Sequence, residues 1–118
     1  MNDKKRVYEE ITPLSRTVAL KHIASSNETE QIYALWSIGL CDEDWQWTQN
    51  LCLSIIEDAS NYPEIKVVAI KCIGHIARIH QKLDLERVIE TLQPLKVDAM
   101  YSGAIEDTLD DIEIFIDK

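Results

Sequence analysis

A motif recurs along this chain at a spacing of 35 residues: Ile32-Tyr33-Ala34-Leu35 and Ile38-Gly39 align with Val67-Val68-Ala69-Ile70 and Ile73-Gly74. A third copy follows at Ser102-Gly103-Ala104-Ile105 and Thr108-Leu109. The columns Ala34, Ala69, Ala104 and Leu35, Ile70, Ile105 persist through all three. A period in the thirties means stacked helical pairs, each burying its apolar face only against its neighbours. Such a stack presents a long ordered surface rather than a catalytic pocket, so the period constrains function as well as fold.

Local signals agree with an all-α chain. Only three glycines and three prolines interrupt 118 residues, and 46% of the residues are apolar, which favours long helices in a single domain spanning residues 1–118. The polar residues 1–11 are expected to be loosely ordered. Thr12-Pro13 reads as the start of a first helix, with Leu14, Val18, Leu20 and Ile23 as its stripe. Asn27 closes a turn and caps a second helix from Glu28 to about Leu40. Asp44 caps a third, Trp45 to Asp58, with Leu51, Cys52, Ile55 and Ile56 inward. Pro63 opens a fourth that runs to His80 and is apolar almost all round, the pattern of a helix sandwiched between neighbours. A short link leads to a fifth helix, Leu85 to Leu92, which Pro94 ends. The sixth, Ala99 to Ile116, is apolar on one side and acidic on the other, as a terminal cap requires. Leu109 there replaces the glycine of the first two copies.

The stretch Pro63-Glu-Ile-Lys-Val-Val-Ala-Ile-Lys-Cys-Ile-Gly74 resembles the first helix of a HEAT repeat in its short bacterial form. Pro63, Lys66, Ala69 and Gly74 fill the family's marked places, with lysine where arginine is commoner. The resemblance covers residues 28 to 117 and implies a HEAT-like α-solenoid of about six antiparallel helices. A narrower likeness lies in Val88-Ile89, Leu92-Gln93-Pro94-Leu95 and the ending Ala104-Ile-Glu-Asp-Thr-Leu-Asp-Asp-Ile112. These resemble bacterial immunity proteins of contact-dependent growth inhibition (CDI) and related polymorphic toxin systems. That resemblance implies a non-enzymatic, stoichiometric inhibitor whose partner is a secreted toxin domain, often a nuclease. A scaffold or adaptor subunit of a larger complex is the alternative.

Charge bears on the partner. The net charge is −9, and from Asp98 onward seven acids face only Lys118. An acidic surface repels phosphate backbones and attracts basic proteins, so no direct nucleic acid contact is expected. No secretory signal or membrane-spanning run is read in the sequence; the expectation is a cytoplasmic monomer.

Sites of other chemistry are not written in the sequence. Cys72 and His75 share a helix face, but two ligands do not make a zinc site. His22 and His75 precede Ile and His80 precedes Gln, so the His-Glu dipeptides of HEAT-like iron hydroxylases are missing. HEAT-like DNA glycosylases need a basic groove, the opposite of this charge. No phosphate-binding glycine loop is present, and no cofactor or metal is expected. Cys41, Cys52 and Cys72 sit in apolar helical runs and read as small buried hydrophobes.

The candidate partner-binding residues are Trp36, Trp45 and Trp47, the acids Asp42, Glu43 and Asp44 between them, and Glu106, Asp107, Asp110 and Asp111. Tryptophan is prominent among interface anchors. Trp36 shares its column with Lys71 and Glu106, which predicts an exposed ring. Trp45 and Trp47 are two apart and cannot both face one core. The columns also place Leu40, His75, Asp110 and Ser37, Cys72, Asp107 in two rows. Were both outward, they would form a strip grading from aromatic to acidic.

Overall fold

The three copies of the motif fold as three helices lying side by side. A computed structural model describes residues 14–116; the expectations for residues 1–11 and for Thr12-Pro13 lie outside them. Six α-helices are present among the described residues: α1 (Arg16–Ile23), α2 (Glu28–Cys41), α3 (Trp45–Glu57), α4 (Pro63–His80), α5 (Leu85–Leu92) and α6 (Ala99–Phe115). A 3-10 turn, Gln93–Val97, begins at the residue before Pro94. The chain is all-α. The motif helices α2, α4 and α6 pack in sequence, α2 on α4 and α4 on α6, while α1 packs on α2, α3 on α4, and α5 on α3 and the 3-10 turn. No described helix is long and apolar enough to cross a membrane.

Capping fixes the helix starts. Asn27 accepts the Glu30 amide, Asp44 the Trp47 amide and Asp98 the Met100 amide, each at 2.9–3.1 Å. A side-chain acceptor there satisfies an amide that the helix cannot. Ser15 caps α1 by accepting the Val18 amide. The expected α1 stripe is also corrected. Val18 and Leu20 are exposed, and Ala19 is the residue buried against α2. Alanine lets α1 lie close to α2 while the larger Val18 and Leu20 stay outside.

The core runs through the motif columns. Ala34, Leu35, Ala69, Ile70 and Ile105 are fully buried, with Ile73, Ile76, Val88 and Leu92. Cys52 and Cys72 join them, but Cys41 is exposed because it ends α2. The Cys52 thiol beside it and burial both keep the Cys72 thiol protonated.

Hydrogen bonds between successive repeats keep nearly the period of the sequence. Cys72 Sγ donates to the Leu35 carbonyl at 3.7 Å and Thr108 Oγ1 to the Ile70 carbonyl at 3.0 Å. Arg87 Nη1 reaches Asn50 Oδ1 at 2.8 Å, and the Asp84 amide donates to Gln49 Oε1 at 2.6 Å. Gln49 and Asp84 are 35 apart, so the buried amide of one repeat caps the helix start of the next.

A glycine makes the close approach possible. A Cβ built on Gly39 would lie 2.5 Å from Cys72 Sγ, and one on Gly74 would lie 2.9 Å from Asp111 Oδ2 and 3.3 Å from Thr108 Oγ1. In the third copy, therefore, Thr108 does the work of Cys72, one residue later than the 35-residue column places it. That shift turns Asp107 outward.

Candidate partner-binding surface

The expected site residues fall into two clusters. The first joins α1 to the turn before α3. Arg16 Nε and Nη2 hold the two Asp42 carboxylate oxygens at 2.9 and 3.0 Å, and Nη2 lies 3.4 Å from Asp44 Oδ2. The same guanidinium sits 4.2 Å from the centre of the Trp47 ring. Asp42 also accepts the Asp44 amide at 2.8 Å. Asp42, Asp44 and Trp47 are thus engaged inside the molecule, and Trp47 packs against Ala19, Ala34 and Ile38. Glu43 is exposed and Trp45 half-buried at the first turn of α3.

The Arg16 hydrogen bonds hold the Asp42 carboxyl below the usual carboxylate range. A folded pKa below the unfolded one means that the clamp contributes in full above the ordinary carboxylate pKa. Its contribution is lost as pH falls through the folded value. Asp42→Asn is expected to flatten part of the acid limb of stability, read as urea midpoints between about pH 2 and 7. An acid limb identical to wild type would show that the clamp adds nothing.

The second cluster is a groove of about 510 Å³ between α4 and α6. Lys71, His75 and Arg78 of α4 and Asp107, Thr108, Asp110 and Asp111 of α6 line it, together with Trp36 of α2. Trp36 is not exposed as its column predicted; only 9% of it is accessible. Its ring packs edge-on against His75, centroids 5.4 Å apart at 67°, so the neighbouring helix covers what a lone helix would expose. The row Ser37, Cys72, Asp107 is likewise not a surface strip: Ser37 and Cys72 are buried and only Asp107 is exposed. In the row Leu40, His75, Asp110, the first two are half-buried and Asp110 is exposed. Glu106 is exposed but does not line the groove.

Within the groove, Arg78 Nη2 donates to His75 Nδ1 at 2.7 Å, and Arg78 Nε is 3.8 Å from Asp111 Oδ2. An arginine can only donate. Nδ1 is therefore the acceptor nitrogen and the imidazole is neutral, with its proton on Nε2. Burial pushes the His75 pKa down, and the Arg78 charge pushes the same way.

No protein-family model and no curated protein matches the chain. Among solved structures, one chain of the crystal structure of the CDI complex from Cupriavidus taiwanensis LMG 19424 is similar at 30% identity and a TM-score of 0.79. The match covers 90% of this chain and 94% of that one. This chain belongs to the same family as that CDI-complex protein. The likeness to CDI immunity proteins in α5 and α6 therefore points to the system that the structural match also reaches.

In this CDI-family chain, Lys71, Arg78 and Arg16 are not among the site residues expected from the sequence, and His75 enters there only as a member of a row. Lys71, His75 and Arg78 follow an i, i+4, i+7 spacing, one face of a helix. Set against Asp107 and Asp111 on the facing helix, that stripe was the available signal. Arg16 had none, since Asp42 is 26 residues away, beyond the whole of α2. Among the described residues no three potential metal ligands cluster.

Proposed function

We propose that this chain is an immunity protein: it binds a cognate CDI toxin domain one to one and neutralises it without catalysis. The observation that carries this is the family relationship to a component of a CDI complex over 94% of that component's length. The net charge of −9 supports a basic partner. A nuclease active site is basic because it must hold phosphates, and an acidic protein surface is steered to it. The exposed acids of α6 and the half-buried tryptophan at the start of α3 supply charge and an aromatic anchor for that contact. Binding takes place in the cytoplasm of the protected cell.

The test is to express, with and without this chain, the C-terminal domain of the candidate toxin found by inspecting the neighbouring reading frames. Cells expressing the toxin alone should stop growing, and co-expression should restore growth. The purified pair should elute as a one-to-one complex in which nuclease activity is suppressed. A stable pair with undiminished toxicity would overturn the immunity reading. A non-toxic partner would favour an adaptor.

A further inference from the structure

We propose that the α4–α6 groove seats an arginine side chain of the toxin domain, its guanidinium held by Asp107 and Asp110 and its stem along Trp36 and His75. This rests on the immunity reading and specifies its contact.

The argument starts from which charges the groove has already used. Arg78 is committed to Asp111 and to the acceptor nitrogen of His75. His75 is neutral by that bond. What remains is Lys71 on α4 and two carboxylates, Asp107 and Asp110, on α6. Neither carboxylate has an ion pair or a side-chain hydrogen bond among the described residues, and both are exposed at the groove. They are three apart on α6, so their Cβ atoms stand about 5–6 Å apart on one face. A guanidinium offers donors in a planar fork that suits paired carboxylates, and it stacks on aromatic rings better than an ammonium does. An apolar occupant would strip water from both carboxylates with nothing to pair them. An anion would meet two negative charges against Lys71 alone.

The molecule contains a worked example of such a site. Arg16 lies over Trp47 at 4.2 Å and is held by Asp42 and Asp44. One tryptophan and two acids from one short segment thus already take an arginine in this chain. The groove sets Asp107 and Asp110 beside the accessible part of Trp36, 9% of the residue, and no described arginine lies on those two carboxylates. The groove's 510 Å³ is ample for one long side chain.

The test uses the full chain and the toxin domain. Asp107→Asn/Asp110→Asn keeps side-chain shape at two exposed positions and removes only charge. Its affinity for the toxin, by calorimetry and by association and dissociation rates, should fall by about 30-fold or more, mainly through faster dissociation. Glu64→Gln/Glu86→Gln removes the same charge from exposed positions away from the groove and should cost less than about threefold. On the toxin side, each arginine is replaced by alanine in turn, which leaves this chain intact. One such substitution should weaken binding to wild type yet add no further loss against Asp107→Asn/Asp110→Asn. Equal, small losses from both double variants, or no coupled toxin arginine, would overturn the groove assignment while wild-type protection persisted. A wild-type chain that neither binds nor protects would instead remove the immunity reading, and the groove's role with it.

Discussion

Ile73→Ala is expected to cost about 2–5 kcal/mol of folding stability, whereas Ile79→Ala in the same helix should cost less than about 0.5 kcal/mol. Both residues belong to the nearly continuous apolar run of α4, and composition alone does not separate them. The packing does. Ile73 is fully buried in the core, whereas Ile79 is 54% exposed near the end of α4. Truncating Ile73 removes buried methyl and methylene groups and leaves a cavity that the surrounding core must collapse into. Native domains hold only about 5–15 kcal/mol in total, so the loss is a large share. Urea unfolding should show the midpoint falling for Ile73→Ala with the slope unchanged. Similar losses at both positions would mean that α4 is not flanked in the way described.

Gly39→Val is expected to cost about 3 kcal/mol, the upper end of ordinary overpacking. Gly103→Ala should instead stabilise the protein by about 0.5–1 kcal/mol. The opposite signs follow from what each glycine faces. The first added carbon at Gly39 lies 2.5 Å from Cys72 Sγ and 3.1 Å from Cys72 Cβ. Cys72 is fully buried and cannot swing clear, so α2 and α4 must separate. At Gly103 nothing lies within 4 Å, and alanine only relieves the backbone entropy that glycine spends in a helix. Pairing Gly39→Val with Cys72→Ala should recover part of the loss, since the sulfur is the first atom struck. Thermal or urea midpoints of the four proteins decide this. Failure of the pair to recover any stability would show that backbone contact, rather than the thiol, sets the spacing.

The helices were legible in the sequence because each boundary is a local event. Asn27, Asp44 and Pro63 mark starts through their own side chains, and Pro94 closes α5 through its missing amide. The Leu/Ile column was legible because every repeat buries it, and the Ala column because Ala34 and Ala69 are buried and Ala104 is partly so. The acids of α6 were also readable, as residues the buried columns do not require. Trp36 was misread because its column mates Lys71 and Glu106 are exposed, and a column assumes that every repeat meets the same neighbour. Here His75 covers the Trp36 ring. The contact of Asp42 and Asp44 with Arg16 was not legible, because Arg16 lies on another helix.

The sequence by itself determined that the chain is a run of helices, through its 35-residue period, where they start, through the capping residues, and that the column Leu35, Ile70, Ile105 is buried. Each of these is decided by spacing or chemistry along a single helix. The tertiary structure alone decided which polar residues meet. One residue of offset rotates a helix position by about 100°. The step from Cys72 to Thr108 therefore moves Asp107 out of the α4–α6 contact and onto the groove. That offset depends on how α6 seats against Gly74, a contact between segments more than thirty residues apart, which no local pattern records.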